Sequence, residues 1–372
     1  MYPTFSPSSI GGRSENSIEK PSLQLPATSH PEWDGLIRRR WSIIFAAVAL
    51  VQATICLAFE IYIYVRFQWS LNPQFQSNFE KQIEVIPIFL PLFVFIFCYE
   101  NVVVWDALIA QNTIQVIGVC ISNLVLAVYT SIQAEQIKES LQVMESSGAL
   151  RQGQTAASLL SDTQAFLIAI PCIMALATIL MAFCTWKVYQ EFAWTILKLV
   201  GADYPMKQRY VYYQVYITLL KFDFFFVVGF LIQLVGVVTK KWDPEFGLTI
   251  AAIPITIAIL FAAGYSTHYE KKWGMVATMF LYLGALIYFI FKLARLFSND
   301  WQFYYRAVKM PLATFAIVAI SLIISTFFNA LICTLNFGQG LKEQFGARRA
   351  SNASGSSDPA SLEEGNRRMT IH

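Results

Sequence analysis

Lys221 and Asp223 are the residues whose type and position ask for chemistry. They stand inside an apolar run, between Leu219 and Gly229, among Phe222, Phe224, Phe225 and Phe226. The run is long enough to cross a bilayer, which places both ionisable groups near its midplane. Charges at that depth are costly and mark either a function or a specific helix–helix contact. Glu100 lies at a comparable depth in an earlier apolar run, a few residues from its middle. At about 1.5 Å rise per residue, Glu100, Lys221 and Asp223 fall within roughly one helical turn of the same level. The expectation is a Glu100–Lys221 ion pair across two helices, with Asp223 near a cavity or as a third member.

Two readings of this cluster stand side by side. It lines a polar pocket or a proton or ion path, or it is a structural contact that fixes helix register. Lys221 and Asp223 are two residues apart, so on a helix they point about 200° from one another and cannot both face one partner. Glu60 and Asp106 are lesser candidates. Each is read as nearer an interface, where a snorkelling or helix-end charge is the ordinary case.

Other chemistries find little support. The six cysteines (Cys56, Cys98, Cys120, Cys172, Cys184 and Cys333) all fall in apolar runs, and the three histidines (His30, His268 and His372) lie far apart. No zinc spacing results, and neither metal nor cofactor is expected. The segment from His268 to Lys272 lacks the HExxH spacing of a zincin. Gln208-Arg209-Tyr210 precedes a span instead of closing one, against a rhodopsin-like receptor. No phosphate loop or nucleophile elbow occurs, so the chain is read as not an enzyme.

The elements that must position these charges follow from composition. Of 372 residues, 56% are hydrophobic and 14% charged, with mean hydropathy +0.50. Soluble domains carry about 25% charged residues, so lipid is the expected solvent. The net charge of +3 is too small to suggest nucleic acid. The expected fold is an all-α polytopic transmembrane bundle of about eight spans: 41–65, 85–110, 113–134, 164–189, 211–238, 247–266, 274–296 and 311–335. Each approaches or exceeds the roughly 20 residues that a helix needs to cross the hydrocarbon. A seven-span alternative would make the tight turn at Gln111-Asn112 re-entrant or lose one helix.

The spans form one domain, 41–338, between two tails. Residues 1–40 and 339–372 are rich in Ser, Gly or Pro and read as disordered. Arg38-Arg39-Arg40 ahead of the first span favours a cytosolic N-terminus by the positive-inside bias. Eight spans then put both tails in the cytosol, although Lys240-Lys241, Lys292, Arg295, Arg306 and Lys309 run against the bias. The first span reads as an uncleaved signal-anchor. Residues 135–163 form the longest inter-span loop, with helical character at its start. Residues 190–210 read as an aromatic and basic membrane-surface segment.

Four phrases together carry a family resemblance: Lys221-Phe-Asp-Phe-Phe-Phe226, Glu270-Lys-Lys-Trp-Gly274, Tyr288-Phe-Ile-Phe-Lys-Leu293 and Asn336-Phe-Gly-Gln-Gly-Leu-Lys342. In order, they resemble a fungal family of uncharacterised Golgi apparatus membrane proteins, uncharacterised protein family 0658, over roughly residues 35–345. The resemblance implies a multi-pass Golgi membrane protein and carries over no site residues. Two functions are expected on these grounds. One is a transporter- or channel-like protein for a small molecule or ion, using the level of Glu100, Lys221 and Asp223. The alternative is a receptor-like or structural and sorting protein acting through its tails, where Ser351, Ser354, Ser356, Ser357 and Ser361 and the acidic Glu363-Glu364 lie. The bilayer is the one partner the sequence names.

Overall fold

The computed structural model describes residues 31–72, 85–146, 148–151, 153–200, 204–237, 244–298 and 309–337. Its eight long helices are α1 (Pro31–Ser70), α2 (Val85–Ile109), α3 (Thr113–Ser146), α4 (Ala156–Val200), α5 (Tyr204–Val237), α6 (Pro244–His268), α7 (Lys272–Phe297) and α8 (Lys309–Leu335). All eight are long and apolar enough to cross a membrane. In lipid a backbone must satisfy its own polar groups, and a helix does so within one segment. That is why the apolar runs become helices despite Pro91, Pro171 and Pro254 inside them.

The helices outrun the apolar segments. α1 begins at Pro31, inside the stretch read as a tail. Proline suits the first helical position. α3 continues to Ser146, in line with the helical character read at the start of 135–163, and α4 starts at Ala156, so most of that loop is helix. α4 likewise runs on to Val200 through the segment read as lying on the membrane surface. The turn at Gln111-Asn112 joins two full-length helices, which rules out the re-entrant reading. Gln111 takes φ 51, and the Asn112 side chain caps α3 by accepting from the backbone N–H of Ile114 (3.1 Å) and Gln115 (3.3 Å). The N-terminal residues before 31, the C-terminal tail with its serines and Glu363-Glu364, and Lys240, Lys241 and Arg306 lie outside the described residues.

The helices assemble as two rings of four. α1 packs on α2, α2 on α3, α3 on α4, and α4 closes on α1. The same order recurs as α5 on α6, α6 on α7, α7 on α8, and α8 on α5. The seam between the rings is made by α2 and α3 against α5, and by α3 against α8. At the far end of α1 a short bridge pairs Leu71 with Leu150, with Arg151 N–H donating to Ser70 O at 2.9 Å. An Arg66–Asp162 ion pair reinforces it.

α5 is the helix that both rings share, and its phenylalanines show why it is apolar all round. The Phe222 ring fills the space beside Gly118 of α3 that a Cβ there would need, and Phe225 stacks on Phe95 and Tyr99 of α2. Phe226 meets Phe315 of α8, with ring centroids 5.6 Å apart. By contrast α4, α6 and α7 turn Leu176, Ile179, Phe261 and Phe280 outward. So much exposed aliphatic and aromatic surface is a face for lipid.

Candidate functional site

Lys221 and Asp223 do point to opposite sides of α5, as their spacing requires. The Lys221 ammonium reaches the end of the α2–α3 hairpin, where it donates to Asp106 and, at 2.9 Å, to Gln115 Oε1. Gln115 Nε2 in turn donates to Asp106 Oδ2 (2.8 Å) and to Val103 O (2.9 Å). Asn112 Nδ2 donates to Thr218 Oγ1 at 3.0 Å, and Tyr99 donates to the Lys221 carbonyl at 2.9 Å. The expected Glu100–Lys221 pair does not form. A lysine stem is long and runs toward the helix end where a charge is better solvated. Asp106 sits six residues nearer that end than Glu100, about 9 Å along the axis.

Asp223 stands apart from this clamp. It is 2% exposed, and its Oδ2 accepts from Thr326 of α8 at 2.7 Å. Its other oxygen, Oδ1, has no hydrogen-bond partner among the described residues. The three charges of the expected cluster therefore occupy three separate environments.

Glu100 is the most isolated of them. It is 5% exposed, and neither carboxyl oxygen has a partner among the described residues. It borders a void of 10 Å³ shared with Ser122, Val119 and Phe222. Glu60, read as lying near an interface, is buried among the helices. α1 runs on to Ser70, so Glu60 lies about 15 Å from the helix end. It is 3% exposed and accepts from Gln133 Nε2 at 3.2 Å.

These carboxyl groups share a neighbour that sequence reasoning passed over. Along α3, Gln115, Ser122, Tyr129 and Gln136 recur every seven residues, and Gln133 and Ser140 lie on the same side; all six are buried. Seven residues are close to two helical turns, so they make one polar stripe. From Gln115 to Gln136 it rises about 31 Å, near the roughly 30 Å of a bilayer's hydrocarbon. Asp106 meets the stripe at Gln115, Glu100 at Ser122 and Glu60 at Gln133. Tyr129 Oη, Gln136 Oε1 and Ser140 Oγ have no partner among the described residues, like the Glu100 oxygens. The seven-residue recurrence was the signal available in the sequence. It is faint because glutamine, serine and tyrosine are unexceptional singly.

A second polar contact, also missed, closes the first ring on itself. Gln52 and Asn123 exchange amide hydrogen bonds of 2.7 and 3.0 Å, and Asn123 Nδ2 also donates to Thr178 Oγ1 at 3.1 Å. Being fully satisfied, this trio ties α1, α3 and α4 together and leaves nothing for a ligand. Among the described residues no group of three or more His, Cys, Asp or Glu is placed to hold a metal.

Compared with known proteins, the chain is similar to a UPF0658 Golgi apparatus membrane protein of Schizosaccharomyces pombe. The two are 28% identical over 325 residues, which cover 81% of this chain and 89% of the relative. No family model matches the chain, and no solved structure matches it. The similarity agrees with the family that the sequence phrases resemble.

Proposed function

We propose that the chain, which is similar to a UPF0658 Golgi apparatus membrane protein, is a transporter-like protein, not an enzyme, that passes protons along α3. Both tails face the cytosol in this reading. The observation that carries it is the buried polar stripe of α3, of bilayer height, met by three carboxylic side chains from α1 and α2 and bearing several unpartnered polar atoms. Unpaired polar groups cost several kcal/mol in an apolar surround, and chains of intramembrane carboxyl groups commonly serve as proton relays.

Each group has a part. Asp106, held by Lys221 and Gln115 at the half-exposed end of the hairpin, is the entry group. Glu100 accepts and releases the proton in the interior. The void between Glu100 and Ser122 has about the least volume that one water needs, and a water there joins carboxyl to hydroxyl. Tyr129 and then Glu60 with Gln133 continue the file toward Gln136 and Ser140. A receptor or sorting role through the tails would rest on residues outside those described.

The test is proton flux into liposomes containing the purified full-length protein and an internal pH-sensitive dye, driven by a potassium diffusion potential. Wild-type vesicles are expected to acidify faster than protein-free ones. Glu100→Gln keeps the shape but cannot cycle a proton, and should return the rate to the protein-free level. Wild-type flux no faster than empty liposomes, or undiminished flux in Glu100→Gln, would overturn the proposal.

A further inference from the structure

The second ring holds a feature that the proton path does not use. Between α5, α6 and α7, with α8 at its back, lies a cavity of about 340 Å³. Its wall is built from Val227, Leu231, Ile259, Leu260 and Phe289, and Asp223 sits in that wall. The volume lies at the lower end of the range for small-molecule sites, about 300–1,000 Å³, which are largely apolar with a few placed polar groups. Asp223 is such a group. Its side chain is buried, Thr326 holds Oδ2 in place, and Oδ1 has no partner among the described residues. Tyr282 also lines the cavity, but its hydroxyl is within 3.3 Å of that of Tyr216.

The mouth of the cavity points to its source of ligand. Ile255 of α6 and Phe280 and Leu281 of α7 line it and are also exposed on the outer surface of the ring, Phe280 by 70%. That surface faces hydrocarbon in a membrane, so a molecule enters sideways from the bilayer. Small residues keep the passage open. Gly284 lies in the wall, and a Cβ added there would meet nothing within 4 Å.

We propose that this cavity is a binding site for a membrane-borne hydrocarbon molecule with a single hydrogen-bond-donating head, a hydroxyl or an amino group, which Asp223 Oδ1 accepts. The largely apolar wall disfavours sugars, nucleotides and phosphorylated headgroups, whose several polar groups would meet one carboxylate and the hydroxyl-bearing side chains of Thr256, Tyr282 and Tyr288 among hydrocarbon. A carboxylate also repels anionic heads. Two sources share the required chemistry, a 3-hydroxysterol and a long-chain primary amine. The site is independent of the proton path, because it involves neither α3 nor the first ring's carboxyl groups. If both readings hold, the second ring carries the cargo and the first the coupling ion.

Saturable binding of a tritiated 3-hydroxysterol and of a tritiated long-chain primary amine would be measured separately, on the full chain in phosphatidylcholine nanodiscs without any proton gradient. The expected result is displaceable binding of one probe. Asp223→Leu should weaken it about tenfold, the loss of one hydrogen bond to a charged group. Asp223→Asn keeps an acceptor but not the charge, so it should spare a hydroxyl ligand and weaken an amine. Gly284→Leu places a side chain in the cavity without a clash at Cβ, and should abolish binding whether or not the Asp223 variants fold. The proposal is overturned if neither probe binds saturably to the wild type. It is equally overturned if binding survives Gly284→Leu, which would mark it as annular lipid.

Discussion

The Gln52–Asn123 pair permits a test of the packing logic with a calculable size. Gln52→Leu removes two interhelical amide bonds and leaves Asn123 Oδ1 without its donor, while Asn123 Nδ2 keeps Thr178. Interhelical bonds in membrane proteins contribute about 0.6 kcal/mol each, at most roughly 1.7, so the two bonds account for about 1–3 kcal/mol. The orphaned oxygen adds about 1–3 kcal/mol of desolvation. A single substitution should therefore cost about 2–6 kcal/mol, and Asn123→Leu should behave similarly because it orphans Gln52 Oε1. In the double variant no amide is left unpaired, and Thr178 still donates to Met174 O at 2.8 Å. Its cost should fall back to about 1–3 kcal/mol, below the dearer single and far below the sum. Equilibrium unfolding of the full chain in mixed micelles, by raising the SDS fraction, gives all four corners of the cycle. Additivity of the two singles to within about 0.5 kcal/mol would refute a mutual amide contact.

Two further outcomes can be read with the same unfolding assay. A Cβ at Gly229 would lie 2.5 Å from Phe315 Cε1 and 3.1 Å from Cδ1, in a core where Phe315 already packs on Phe226 and Tyr129. Overpacking costs about 1–3 kcal/mol against a helix-propensity gain of about 0.5–1, so Gly229→Ala should destabilise and Gly284→Ala should not. In the hairpin clamp, Asp106→Asn should cost more than Lys221→Met. The first leaves the ammonium with two neutral acceptors and no counter-charge, whereas the second leaves a half-exposed carboxylate that Gln115 still holds. Equal midpoints for the two would show that the ammonium has another route to solvent.

Residue types alone decided that this chain is a helical membrane protein, and why. Long apolar runs with few charges have no soluble alternative, and in lipid only a helix satisfies its own backbone, so eight runs became eight helices. Helix ends were legible only where a turn signal stood, as at Asn112. Where the sequence merely became polar, as after Ala134 and Tyr189, the helix carried on, because backbone hydrogen bonding continues regardless of the solvent outside. The half-turn separation of Lys221 and Asp223 was also fixed by helical geometry. Their partners were not. Depth along an axis says nothing about which neighbour a long side chain will reach, so Lys221 found Asp106 instead of Glu100. The tertiary structure decided that Glu60 is buried against Gln133, and that modest residues on α3 line up with carboxyl groups from two other helices. It also made the cavity beside Asp223, a space between four helices that no stretch of sequence contains.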